Sequence, residues 1–133
     1  MPTLDTNCLV RWLVRDDPDK TKTMDAIMAS PSHLIVPNEA LIETVYVLET
    51  YYRFTRAEVT QAIRLLIGQA VLDLDRALWT QILTAYLEHP KLSCTDVFLA
   101  IQAKCRSEEP FLSFDRKLVN QLGAINPDAF KQM

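Results

Sequence analysis

The sequence predicts an α/β fold: a three-layer α/β/α sandwich around a mostly parallel central sheet of about four to five strands. Three observations predict it. Short strand-like runs alternate with helix-like stretches along the whole chain. The intervening stretches are long enough to carry a crossover helix, which makes successive strands parallel rather than hairpin-paired. The 133 residues, 49% of them apolar, suffice for one core, so residues 1–133 read as a single domain without repeats, linkers or low-complexity tracts.

The elements follow in order. "TL" before Asp5 is a minimal first strand, and "CLVRWLVR" places Leu9, Trp12 and Leu13 at helical i, i+3, i+4 spacing until "DDPD" stops it. A second helix is expected over residues 21–29. "HLIV" is a second strand before Pro37, and Asn38 is a candidate N-cap for a helix to about residue 52. "TRAE" matches a capping box that opens a helix ended by Gly68. "AVLDL" is a third strand, residues 76–88 a helix, "KLSC" a connection, and residues 96–105 a helix around "VFLAI". "PFLSF" is a fourth strand, "DRKLVNQL" a short helix and "AIN" a fifth strand.

Composition excludes several functions. Only two glycines occur, which argues against a dinucleotide fingerprint or a P-loop, since each needs two or more in a fixed pattern. Three cysteines without a CxxC pair suit a reduced intracellular protein, with Cys8 and Cys94 as small core residues. No signal-like or membrane-spanning apolar stretch is present, so the cytoplasm is the expected location. The net charge of −3 disfavours nucleic-acid binding through a basic surface alone, although a bound cation would reverse the sign locally.

Four carboxylates stand in positions that ask for an explanation. Asp5 directly follows the first strand and Asp115 the fourth, at the sheet edge where open α/β folds bind ligands. They are neighbours if the strand order reverses between strands one and four. Glu43 lies in "NEALIETVYVLETYY", whose apolar residues cover nearly the whole helix and mark it as buried on most sides. An unpartnered buried glutamate is costly, so Glu43 is expected either to meet a buried arginine such as Arg11 or Arg64 or to hold a cation. Asp96 precedes the apolar "VFLAI". Asp5, Asp96 and Asp115 each also read as helix caps. Taken jointly, four carboxylates facing one edge with no histidine nearby form an all-oxygen site suited to Mg²⁺ or Mn²⁺.

Other polar residues have plainer readings. Asp16 to Asp19 lack the glycine and distal glutamate of a calcium loop and read as a solvated turn. Asp73 and Asp75 flank a strand end, Asp75 as a cap. His33 and His89 are solitary and lack ligand spacing.

The opening "LDTNCLVRWLVRDDP" resembles that of PIN-domain proteins, in particular VapC-type ribonuclease toxins of type II toxin-antitoxin systems. "IVPNEALIETVYVLETYY", "SCTDVFLAIQAK" and "FLSFDRKL" resemble the family's second, third and fourth acidic segments, in that order. The resemblance implies that Asp5, Glu43, Asp96 and Asp115 hold one or two Mg²⁺ or Mn²⁺ ions and activate a water that hydrolyses an RNA phosphodiester. Thr6, Asn7 and Ser113 would support them, Asn7 by orienting Asp5 and Ser113 through its hydroxyl. Serine rather than threonine at 113, and Cys8 in place of a branched apolar residue, are the departures.

Lys91, Arg106, Arg116 and Lys117 adjoin these segments and are candidate RNA-phosphate contacts; Arg11 is also close to the first in sequence. The resemblance further implies a cognate VapB-type antitoxin and a homodimer. The aromatic-rich region 38–68, with Tyr46, Tyr51, Tyr52 and Phe54, is a candidate groove or dimer surface. Two other functions compete. A housekeeping PIN nuclease in RNA maturation shares the site, but the chain shows no appended RNA-binding module. A non-catalytic receiver-like signalling module expects two adjacent acids after strand one, whereas Asp5 stands alone.

Overall fold

The computed structural model describes residues 1–130. The chain divides into two compact units, Met1–Arg76 and Ala77–Met133.

The first unit holds helices α1 (Thr6–Val14), α2 (Pro18–Met28), α3 (Asn38–Thr50) and α4 (Arg56–Ile67), with strands β1 (Leu34–Ile35) and β2 (Leu72–Asp73). β1 and β2 pair in parallel, Leu34 opposite Leu72, and Thr3 forms a parallel bridge with Ile35 on the other side. The bonds are regular: Leu4 N–H donates to the Ile35 carbonyl and Ile35 N–H to that of Pro2, both at 2.8 Å. Leu34 N–H donates to Val71 and Val36 N–H to Asp73, both at 2.9 Å. The first three expected strands therefore lie side by side where the sequence places them.

They are shorter than expected. Pro2 and Pro37 have no N–H to extend a ladder, and the residues after each pairing turn at once into a helix, α1 after Asp5 and α3 after Pro37. Among the described residues the only ladder is this two-stranded sheet, so the expected sheet of four to five strands is present here as two strands and two bridges.

The core of this unit is aliphatic. α1 packs against α2 and α3, and α3 against α4. Leu9 and Val10 of α1, Leu41, Val45 and Leu48 of α3, and Val59, Ile63 and Leu66 of α4 are all buried. α2 starts three residues earlier than expected because Asp17 accepts from Lys20 N–H while Pro18 takes the first helical position, where its missing N–H costs nothing. "DDPD" is thus partly a helix start. In α3, Pro37 occupies the capping position and Asn38 is already helical, so the expected Asn38 cap does not form. In α4 the capping box forms fully: Thr55 Oγ1 accepts from Glu58 N–H at 3.2 Å, and Thr55 N–H donates to Glu58 Oε1 at 2.9 Å.

The second unit holds most of α5 (Arg76–Glu88), then α6 (Cys94–Cys105), α7 (Arg116–Leu122) and α8 (Pro127–Phe130). Trp79, Ile82, Leu83 and Tyr86 of α5 are buried, as are Val97 and Phe98 of α6. The Trp79 and Phe98 rings are 6.0 Å apart, and α6 packs against α7. The fourth and fifth expected strands are reduced to a parallel bridge between Leu112 and Ile125. Gly123 ends α7 at φ +73°, a left-handed conformation open to glycine without steric cost.

Replacing Thr55 by alanine removes one arm of the capping box and is expected to cost about 1 kcal/mol in urea unfolding. Accepting from Thr55 N–H holds the Glu58 carboxyl below its ordinary value of 4.5. Its share of stability is present above that value and lost as the pH falls through the lowered one, and Glu58→Gln should remove that pH dependence.

Candidate functional site

The parallel pairing of residues 2–4 with β1 sends both chains out at the same end, one into α1 and the other into α3. Asp5 is the N-cap of α1, its Oδ1 accepting from Cys8 N–H at 3.0 Å. That bond, then the Cys8 thiol and least the Asn7 N–H, hold its carboxyl below the ordinary carboxylate range. Asp5 is exposed, and the Cys8 N–H engages its Oδ1. The Cys8 thiol is pushed up by burial, with the neighbouring Asp5 adding to the effect.

Glu43 corrects the expectation of a glutamate on a mostly buried helix. The buried stripe of α3 is Ala40, Leu41, Thr44, Val45 and Leu48, the i, i+4 rows of one face. Glu43 falls on the other side and is exposed, as is Tyr46, 62% accessible. β-branched and aromatic residues that suggested burial instead wall a hollow. Neither Arg11 nor Arg64 pairs with Glu43.

Asp5 and Glu43 line one cavity of about 520 Å³, with Thr6, Asn7, Val10 and Arg11 from α1 and Val47, Tyr51 and Tyr52 from and just after α3. Each wall is a helical stripe: Asn7 and Arg11 are four residues apart, as are Glu43, Val47 and Tyr51. The two carboxylates also share an adjoining hollow of about 280 Å³ with Glu39. Asn7 supports Asp5 through its backbone rather than its side chain, because first-turn N–H groups point toward the cap.

Three residues here were not anticipated together. Arg11 Nη1 donates to Asp16 Oδ1 at 3.1 Å, and the Tyr52 hydroxyl donates to Asp16 Oδ2 at 3.1 Å. Asp16 is solvent-exposed between α1 and α2, as expected, and is also a shared acceptor. Burial raises the Tyr52 hydroxyl above its ordinary value, reinforced by the anionic Asp16. The sequence carried a signal for the first contact, a carboxylate just past the end of the helix that bears Arg11; nothing in it announced Tyr52, which lies 36 residues from Asp16.

In the second unit, Asp96 lies in the first turn of α6 and does not cap it; Ser93 does, accepting from Asp96 N–H at 3.1 Å. The half-buried Asp96 carboxylate is thereby left without a capping duty. Asp115 caps α7, accepting from Lys117 N–H at 2.8 Å, and its own N–H donates to Ser113 Oγ at 3.0 Å. Lys91, Arg106, Arg116 and Lys117 are all exposed, with Lys117 Nζ donating to the Lys91 carbonyl at 3.4 Å.

Among the described residues no group of three or more His, Cys, Asp or Glu side chains is gathered for a metal ion. The Asp5–Glu43 pair still fits one class of cation. Mg²⁺ keeps several waters and takes one or two carboxylates, with substrate phosphates completing its shell. Two oxygen ligands on an accessible cavity, neither engaged by a cationic side chain, match that requirement.

Asp5→Asn retains an oxygen for the Cys8 N–H and is expected to change stability by less than about 0.5 kcal/mol, whereas Asp5→Ala loses the cap and costs about 1 kcal/mol. The lowered Asp5 pKa contributes stability above its ordinary value of 3.8 that is lost as the pH falls through the lowered one. Urea titrations across acid pH should show that contribution absent in Asp5→Asn.

No helix among the described residues is long and apolar enough to cross a membrane. No curated protein matches the chain. The family model described as "PIN domain" matches residues 3–121, running through both units. With the match covering nearly its whole length, the chain belongs to the PIN-domain family.

Proposed function

We propose that the protein is a Mg²⁺- or Mn²⁺-dependent endoribonuclease acting as the toxin of a toxin-antitoxin module. Members of the family are generally metal-dependent nucleases. The observation that carries the reading is the pair of carboxylates, Asp5 and Glu43, lining one accessible cavity without a protein cation bound to either. Their carboxylate oxygens would hold the ion, with Asp96 and Asp115 as the further carboxylates that the sequence resemblance implies. When bound, the ion lowers the pKa of a water for attack on phosphorus and offsets charge developing on the phosphoryl and leaving oxygens.

The chain's own residues do the rest. The Cys8 N–H fixes one Asp5 oxygen, so the other keeps a defined direction. Ser113 steadies the backbone at Asp115. Without a cation the acidic pair would repel the RNA backbone. Lys91, Arg106, Arg116 and Lys117, all exposed, grip phosphates along the strand.

The toxin assignment rests on the likeness of "LDTNCLVRWLVRDDP" to VapC-type openings. It brings a VapB-type antitoxin and a homodimer as partners and the cytoplasm as the place of action. Exposed Tyr46, Tyr51 and Leu65 in the region 38–68 offer apolar surface for such contacts.

Purified protein is expected to cut RNA only with Mg²⁺ or Mn²⁺ added, and Glu43→Gln and Asp96→Asn are each expected to lower the rate roughly 100-fold. Equal cleavage by wild type and both variants overturns the assignment. Expression in a bacterial host should arrest growth, and Glu43→Gln should relieve the arrest; continued growth with active nuclease present would mark a housekeeping enzyme instead.

A further inference from the structure

We propose that Asp16 is a positioning residue: it holds the Arg11 guanidinium off Asp5 and Glu43 and so keeps both carboxylates open to a divalent cation. The inference rests on the metal-dependent reading above. Arg11 lines the same cavity as Asp5 and Glu43, carries the opposite charge and has a long flexible stem. Left alone, such a cation would fold onto the nearest anion, and a cavity with two of them would close on itself.

Arg11 nevertheless pairs with neither, because Nη1 is taken by Asp16 at 3.1 Å. Asp16 is held in turn by the Tyr52 hydroxyl on its other oxygen, a contact from the opposite wall of the cavity. The Arg11 side chain is 27% accessible and its Nε is buried without an acceptor, so its direction is set by the Asp16 contact and by packing. Nη2 has no partner among the described residues and remains for a phosphate oxygen of the substrate.

Asp16→Asn keeps the shape and an oxygen for Tyr52 but loses the charge that restrains Arg11. Titration calorimetry of the full chain with Mn²⁺ alone is expected to show Kd raised about 10-fold in this variant. Arg11→Gln, which needs no counter-ion, is expected to bind Mn²⁺ at least as tightly as wild type. The double variant Asp16→Asn/Arg11→Gln should then recover wild-type affinity, which a merely structural role for Asp16 would not produce. Tyr52→Phe, a milder release of Asp16, should raise Kd in the same direction, and only when Arg11 is present; it serves if Asp16→Asn does not fold.

Unchanged Mn²⁺ affinity in Asp16→Asn, or no recovery in the double variant, overturns the inference while RNA cleavage by wild type leaves the nuclease reading standing. Wild type that neither binds Mn²⁺ nor cuts RNA overturns both. Recovery in the double variant of a wild type that binds Mn²⁺ but spares RNA supports the Asp16 role and removes the ribonuclease.

Discussion

The parallel pairing of residues 2–4 with β1 and of β1 with β2 is the constraint on which the first unit depends. Four backbone hydrogen bonds of 2.8–2.9 Å join three short segments, and parallel direction sends their ends to one edge. A helix begins immediately after two of those ends, α1 at Asp5 and α3 after Pro37. The strands need no length for this purpose. Two or three residues fix direction, and the helices packed beside them supply the buried aliphatic surface that holds the arrangement together. Asp5 and Glu43 meet in one cavity because both helices leave the same edge and pack against each other.

Charge placement on that cavity follows from which groups are already occupied. Asp5 gives one oxygen to a backbone N–H, Glu43 gives none, and Arg11 is directed to Asp16. At the end of α1, Arg15 forms a bidentate pair with Asp25 at 2.6 and 3.0 Å, which joins α1 to α2 but is half-exposed and solvent-screened. Arg11 of α1 and Arg15, its C-cap, thus have carboxylate partners of their own. Asp5 and Glu43, which line the cavity, are not engaged by either ion pair, which is a condition for hard-cation chemistry at an all-oxygen site.

Caps account for several of the acids that the sequence singled out, Asp5 and Asp115 as expected and Asp96 not. Asp5 and Asp115 cap helices, and an N-cap uses only one oxygen, so capping and ligation are compatible in the same side chain. Asp96 is relieved of capping by Ser93 three residues earlier. Asp17, set aside as part of a turn, caps α2 with Pro18 beside it. Local hydrogen bonding of this kind was legible because caps depend on residues within three or four positions. Glu43 was misjudged because apolar residue count does not distinguish a core face from a cavity wall; Val47 and Tyr51 line a hollow while Leu41, Val45 and Leu48 fill the core.

The sequence by itself determined the α/β character, the position of each strand-like segment, most helix boundaries within a few residues, the capping box at Thr55 and the membership that the PIN-domain match bears out. These depend on short-range periodicity and on residue patterns read in order. Tertiary structure alone decided strand length, the exposure of Glu43, its sharing of a cavity with Asp5, and the Arg11–Asp16–Tyr52 contacts. Each of those joins groups distant in sequence or depends on which face of a helix meets a neighbour. Helical periodicity reports that a face is apolar; only packing determines whether protein, solvent or a ligand covers it.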